Sequence, residues 1–197
     1  DHKIIFCGDI GYQLPPIPDE SDRFPQEFMI QRLPQYKHRP NKDISKRRCK
    51  CEKLDAILKD LRKKIKKYED WDPNIYQNYG FEIIDKDSID YKVDDLILAY
   101  THENKDYYTK KYKHLKKYLI KRTTNLLCAN EIVIGDLPEG QSGVIQHCFT
   151  VHSIQGESIK SPNKLFIDVR LFDRAGYRML YTALSRAELF DQIVLIH

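Results

Sequence analysis

Gly143-Val144-Ile145-Gln146-His147-Cys148-Phe149-Thr150 runs directly into Val151-His152-Ser153-Ile154-Gln155-Gly156-Glu157. The first eight residues have the composition of a strand. The run then breaks into small and polar residues around a glycine. A glycine lets backbone approach another group closely, and such a turn suits a ligand that is negatively charged and accepts hydrogen bonds. Taken alone, the stretch predicts a strand ending in a ligand-facing turn.

Other apolar runs lie around it. Lys3 to Cys7, Leu96 to Tyr100, Lys164 to Val169 and Gln192 to Ile196 lack polar alternation, as strands buried on both faces of a parallel sheet do. Phe81 to Ile84 reads as a short strand. Leu126 to Ile134 and Gly143 to Thr150 flank the turn-rich Gly135 to Gly140 and predict a hairpin. Helices are predicted at Phe24 to Leu33, Asn104 to Arg122, Arg174 to Ala187 and Glu52 to Tyr68. In the last, Leu54, Ile57, Leu58, Leu61, Ile65 and Tyr68 share one face. Thr101 is the expected N-cap of the second helix, and Tyr108, Tyr112, Leu115, Tyr118 and Leu119 its inner face. Asp70 to Gly80 reads as a loop. Strands alternating with helices predict an α/β fold with a mainly parallel sheet flanked by helices. The first strand ends in Gly8-Asp9-Ile10-Gly11-Tyr12-Gln13-Leu14-Pro15-Pro16, a rigid loop presenting Asp9 and Gln13 where ligands bind in open α/β sheets.

The 197 residues are 41% hydrophobic, enough for a core, and the net charge of +4 permits an anionic partner without demanding one. Basic residues cluster at Arg62 to Lys67 and along Lys110 to Arg122, where tyrosines are interleaved. Each cluster is either a solvated helix face or a nucleic-acid contact. Five cysteines show no framework spacing. Cys7, Cys128 and Cys148 read as buried thiols, and Cys49-Lys50-Cys51 lacks the second pair that a zinc site needs. A reducing intracellular compartment follows, whether nucleus, cytoplasm or a viral replication site. No window approaches a membrane span, and no signal peptide is seen. Asp1 in place of Met, so close to a strand, suggests a fragment of a longer protein. The frequency of Lys, Ile, Asn and Tyr is what an AT-rich genome produces, and a large DNA virus is one possible source.

Three segments stand in one order: Gly8 to Pro16, Thr150 to Glu157, and Leu180-Tyr181-Thr182-Ala183-Leu184-Ser185-Arg186-Ala187. They resemble motifs III, V and VI of superfamily 1 helicases, closest to the RecD-like branch. Leu33 to Asp43, with Arg39, resembles the region of motif IV, and Leu96 to Tyr112 the strand and helix that follow. The resemblance spans nearly the whole chain. It implies the second RecA-like domain of a motor (36–197, with a small hairpin insertion near 126–148), preceded by the end of the first (1–35). These motors close two such domains around ATP and Mg²⁺, and arginines stabilise charge on the transferring phosphoryl group. By resemblance, Arg186 is the main arginine finger, Arg39 a second, and Gln13 senses the γ-phosphate. Asp9, Gln155, Gly156 and Glu157 would face the nucleotide. Thr150, His152 and Ser153 would face the backbone of single-stranded nucleic acid or the domain interface. No glycine is followed by lysine, so the chain holds no phosphate loop, and Asp19-Glu20 follows no apolar strand. The phosphate loop and the Mg²⁺ carboxylates are expected upstream, in the N-terminal RecA-like domain of the same protein, so the fragment alone would be inactive. The resemblance implies a 5′ to 3′ DNA helicase. A non-catalytic module binding nucleic acid or protein, and an RNA helicase of the same superfamily, are the alternatives.

Overall fold

The computed structural model describes residues 49–124, 126–127, 131–154 and 158–197. Its centre is a five-stranded sheet. The strands are β1 (Glu82–Ile84), β2 (Leu96–Ala99), β6 (Cys148–Thr150), β7 (Leu165–Asp168) and β8 (Ile193–Ile196). Their order across the sheet is β1-β8-β7-β2-β6, and every pairing is parallel. This is the α/β class expected. β2, β7 and β8 are buried along their whole length, so they need no polar alternation.

The period-two geometry of strands divides these apolar residues between two cores. Leu96, Leu98, Leu165, Ile167, Ile193 and Leu195 join one cluster with the helices α1 (Glu52–Lys67) and α4 (Phe172–Leu184). Ile97, Ala99, Cys148, Phe166, Val194 and Ile196 face the other way and meet Tyr108 and Tyr112. Tyr108 lies in α3 (His102–Lys111), and Tyr112 is its C-cap.

α1 forms because Leu54, Ile57, Leu58, Leu61 and Ile65 make a continuous buried stripe, with Glu52 and Asp55 in its first turn and Lys64, Lys66 and Lys67 in its last. Burying each such side chain contributes about 1.5–3 kcal/mol. Arg62 ties the helix to α4 by donating from Nε and Nη2 to the Tyr181 hydroxyl, at 3.0 and 2.6 Å. Tyr68 was expected on the buried stripe. It is instead 88% exposed, because it caps the helix in the left-handed region (φ 55°), which turns its side chain off that face.

The segment after α3 departs most from expectation. The helix ends at Lys111, and Lys117–Leu119 is a strand, β3. It pairs antiparallel with β4 (Ile132–Ile134) on one side and β5 (Val144–Ile145) on the other. β4 and β5 therefore form no two-stranded hairpin, since β3 lies between them. The run from Gly143 to Thr150 serves two sheets. β5 belongs to the small sheet, β6 to the large one, and Gln146-His147 makes the switch. Asp70 to Gly80 holds one short helix, α2 (Ile75–Tyr79), closed by Gly80 at φ 69°. α4 ends at Leu184, three residues earlier than expected, and is kinked at Gly176 (φ 71°, ψ −172°). The strand at Lys3 to Cys7 and the helix at Phe24 to Leu33 lie outside the described residues, as does the boundary near residue 35.

Candidate functional site

In an open parallel sheet the strands' carboxyl ends carry the ligand-facing loops. Here β6 leads into Thr150, β2 into α3, and β7 into Arg170. The N-cap Thr101 is confirmed: its Oγ1 accepts from the Asn104 amide at 3.2 Å, holding the first turn of α3 open toward this edge.

Thr150 is buried and starts a tight turn. Its Oγ1 accepts from the Ser153 amide at 3.2 Å, and Ser153 Oγ donates to the Thr150 carbonyl at 2.9 Å. Such side-chain bonds favour a turn over a continuing strand, so the apolar run stops here. Thr150 and Ser153 line an open groove of about 480 Å³ between this turn, α3 and the small sheet. His102, Lys105, Lys121 and Gln146 supply its other polar groups, above a floor including Phe149 and Ile154. Two ammonium groups and the Thr150 hydroxyl, whose own hydrogen is free, are donors that a phosphodiester backbone accepts from, while Ser153 Oγ spends its hydrogen on the Thr150 carbonyl. Lys105 Nζ stands 3.5 Å from Asp106, a half-exposed pair that restrains it little.

His152 is half-buried and is not among the groove's lining residues. Burial lowers its pKa, which favours the neutral ring. Of the expected strand-facing set, Thr150 and Ser153 line the groove and His152, in the same turn, does not.

Arg186 is fully buried, in the turn that follows α4. Its Nε donates to the Thr182 carbonyl at 3.1 Å and its Nη2 to Ser185 Oγ at 2.8 Å. Ser185 Oγ donates in turn to the Thr182 carbonyl at 2.9 Å. The last turn of the helix thus fixes the guanidinium. α4 carries the chain back from β7 to the start of β8, so Arg186 stands at the opposite end of the crossover from the groove. One segment joins the two places. The Ile159 amide donates to the Arg186 carbonyl at 2.8 Å, and Ile159 and Ala187 form a parallel bridge. The stretch leaving Thr150 therefore arrives at Arg186 nine residues later. Asp9, Gln13, Arg39, Gln155, Gly156 and Glu157 lie outside the described residues.

Lys105 and Arg170 were not singled out from the sequence. Lys105 follows His102 by one helical turn and so shares its face, a signal that the cap at Thr101 makes readable. Arg170 is held by Asp168, whose buried carboxylate accepts its Nε at 2.9 Å and the Tyr108 hydroxyl at 3.0 Å. The bond to that carboxylate raises the arginine's pKa.

A second polar cluster sits at the amino edge of the sheet. Lys117 is buried in β3 and donates to the Tyr91 hydroxyl at 3.3 Å and to the Asp95 carbonyl. Burial lowers its pKa to about 8. His147 is fully buried between the Tyr91 hydroxyl (3.2 Å from Nδ1) and the Leu115 carbonyl (3.1 Å from Nε2). A carbonyl can only accept, which assigns the proton to Nε2 and makes Nδ1 the acceptor from Tyr91. Cys148 beside it is a buried thiol whose pKa burial raises, as the sequence led one to expect. Cys49 and Cys51 are free and half-buried. Among the described residues no group of three metal-ligating side chains is found, and no helix is long and apolar enough to cross a membrane.

No protein-family model matches the chain, and no curated protein matches it in sequence.

Proposed function

We propose that the chain is the C-terminal motor portion of an ATP-dependent superfamily 1 helicase or translocase of RecD-like type, acting 5′ to 3′ on single-stranded DNA. One observation carries the reading. A single segment, Thr150 to Ile159, links a hydroxyl- and lysine-lined groove to a buried arginine. A motor needs that connection, because nucleotide state must reach the strand-binding surface.

Arg186 suits the finger role because its planar fork stays charged and grips phosphate oxygens; the guanidinium, buried against the end of α4, would leave Thr182 and Ser185 to reach one. ATP bound at the junction with the N-terminal RecA-like domain would supply the phosphoryl group, and Mg²⁺ would be held by carboxylates of that domain. Within this chain, Arg186 neutralises charge at the nucleotide side, Thr150 donates to a strand phosphate from the turn that Ser153 braces, and Lys105 and Lys121 add the electrostatic attraction that makes binding salt-dependent.

The test separates binding from turnover. In the polypeptide that carries the phosphate loop, Arg186→Ala and Arg186→Lys should retain nucleotide affinity while hydrolysis falls about 10³-fold or more. Hydrolysis at the wild-type rate would refute the finger role. The 197 residues alone should hydrolyse no ATP with Mg²⁺. The groove favours a second reading, a module that binds single strands without turnover. That reading predicts that Arg186 variants of the loop-carrying polypeptide bind strands normally and that the wild type never hydrolyses.

A further inference from the structure

α3 has a second recess, on the side away from the groove. At 100° per residue, His102 and Lys105 point one way, and Glu103, Asn104 and Tyr107 the other. The second set, with Lys86 and Arg170, lines a recess of about 200 Å³. Lys86 and Arg170 each lie two residues beyond a strand's carboxyl end, so the recess opens on the same edge of the sheet as the groove.

The recess is built around an aromatic face. Tyr107 is 38% exposed, and its position is braced: the hydroxyl donates to Asp87 Oδ1 at 3.1 Å. Lys111 Nζ donates to the Lys86 carbonyl at 2.8 Å, fixing the loop that carries Asp87 to the same helix. Lys86 Nζ lies 5.7 Å from the ring centroid. The ring is thus positioned before any ligand arrives. The volume falls below the roughly 300–1,000 Å³ of sites for drug-sized ligands and suits a single planar ring. Arg170 is already paired with Asp168 and Glu103 offsets Lys86, so the recess has no surplus cation for a phosphate, whereas the Asn104 amide offers both a donor and an acceptor to the edge of a base.

We propose that this recess holds one unstacked base of the strand whose phosphates lie in the neighbouring groove, with its ring stacked on Tyr107. The proposal rests on the nucleic-acid reading above, and the experiment distinguishes the failure of each. Fluorescence anisotropy of the 197-residue chain is measured against oligo-dT and against an abasic phosphodiester of equal length, across a range of salt concentrations. The wild type should prefer oligo-dT by about fivefold or more. Tyr107→Ala should abolish that preference while leaving abasic affinity and the salt slope unchanged, and Tyr107→Phe should keep it. A preference undiminished in Tyr107→Ala overturns the base recess and leaves the groove intact. Failure of the wild type to bind either oligonucleotide overturns the nucleic-acid reading and the recess with it.

Discussion

His147 makes a measurable demand on the pH dependence of folding. The imidazole is fully buried, accepts from Tyr91 at Nδ1 and donates to Leu115 from Nε2. Protonation would force a second donor against a hydroxyl that already points its hydrogen at the ring. Burial is the main reason its pKa falls from 6.5 to about 4, with the Lys117 ammonium adding to the fall. The unfolded chain binds the proton below about pH 6.5, and the folded chain refuses it until about pH 4. In that window the unfolded state holds more protons, so stability is fully present above pH 6.5 and is lost as pH falls toward 4. At about 1.4 kcal/mol per pH unit the loss is of order 3 kcal/mol. Urea unfolding at several pH values across this window reads it directly. Carboxylates also titrate there, so the informative quantity is the difference between wild type and His147→Phe. The variant leaves Leu115 O paired with the Lys117 amide at 3.2 Å and Tyr91 with the Lys117 ammonium. It should lose about 1 kcal/mol at pH 7. Its stability should fall less steeply on acidification, so that it matches or exceeds the wild type near pH 4. Parallel pH profiles for the two proteins would refute the assignment of the neutral ring.

Two further outcomes are expected. Lys105→Ala and Lys121→Ala should each weaken single-strand binding and reduce the slope of log affinity against log salt by about 0.7, as measured by anisotropy titrations. Tyr68→Gly should raise stability by about 1 kcal/mol in urea unfolding, because the left-handed cap at φ 55° strains any side chain and the tyrosine's is almost wholly exposed.

The parallel sheet was legible because β2, β7 and β8 are buried on both faces and so carry uninterrupted apolar runs; β1, at the edge, is largely exposed. α1 was legible because its stripe, Leu54 to Ile65, holds one period for about three turns. The segment beyond Lys111 misleads for a physical reason. Tyr108, Tyr112, Leu115 and Leu119 do recur at helical spacing, yet the chain turns after Tyr112. Pairing on both edges of Lys117–Leu119, together with the inward bonds of Lys117, wins over local periodicity. The strand partners lie 13 to 27 residues away, so no local window contains them. The candidate site divides in the same way. Thr150 and Ser153 are readable because a strand that breaks into hydroxyl residues announces a turn. Lys105, Arg170 and Tyr107 acquire a role only because the order β7-β2-β6 sets α3 between two loops distant in sequence.

That order also bears on what the Thr150 to Ile159 segment can transmit. Its first end is anchored to the sheet, since the Val151 amide still donates to Ala99 at 3.2 Å and Thr150 is locked into its turn. Its last end is anchored to the turn after α4 by the bond from Ile159 to Arg186. A displacement of Arg186 toward a phosphoryl group would therefore load this segment. The load would fall on Ile154 and Ile159, which belong to the core shared with α1 and α4. α4 resists following, because Arg62 holds Tyr181 and the stripe of α1 packs against it. Under the function proposed above, coupling between nucleotide and strand would therefore have to act through these two anchored ends, and not through a shift of α4.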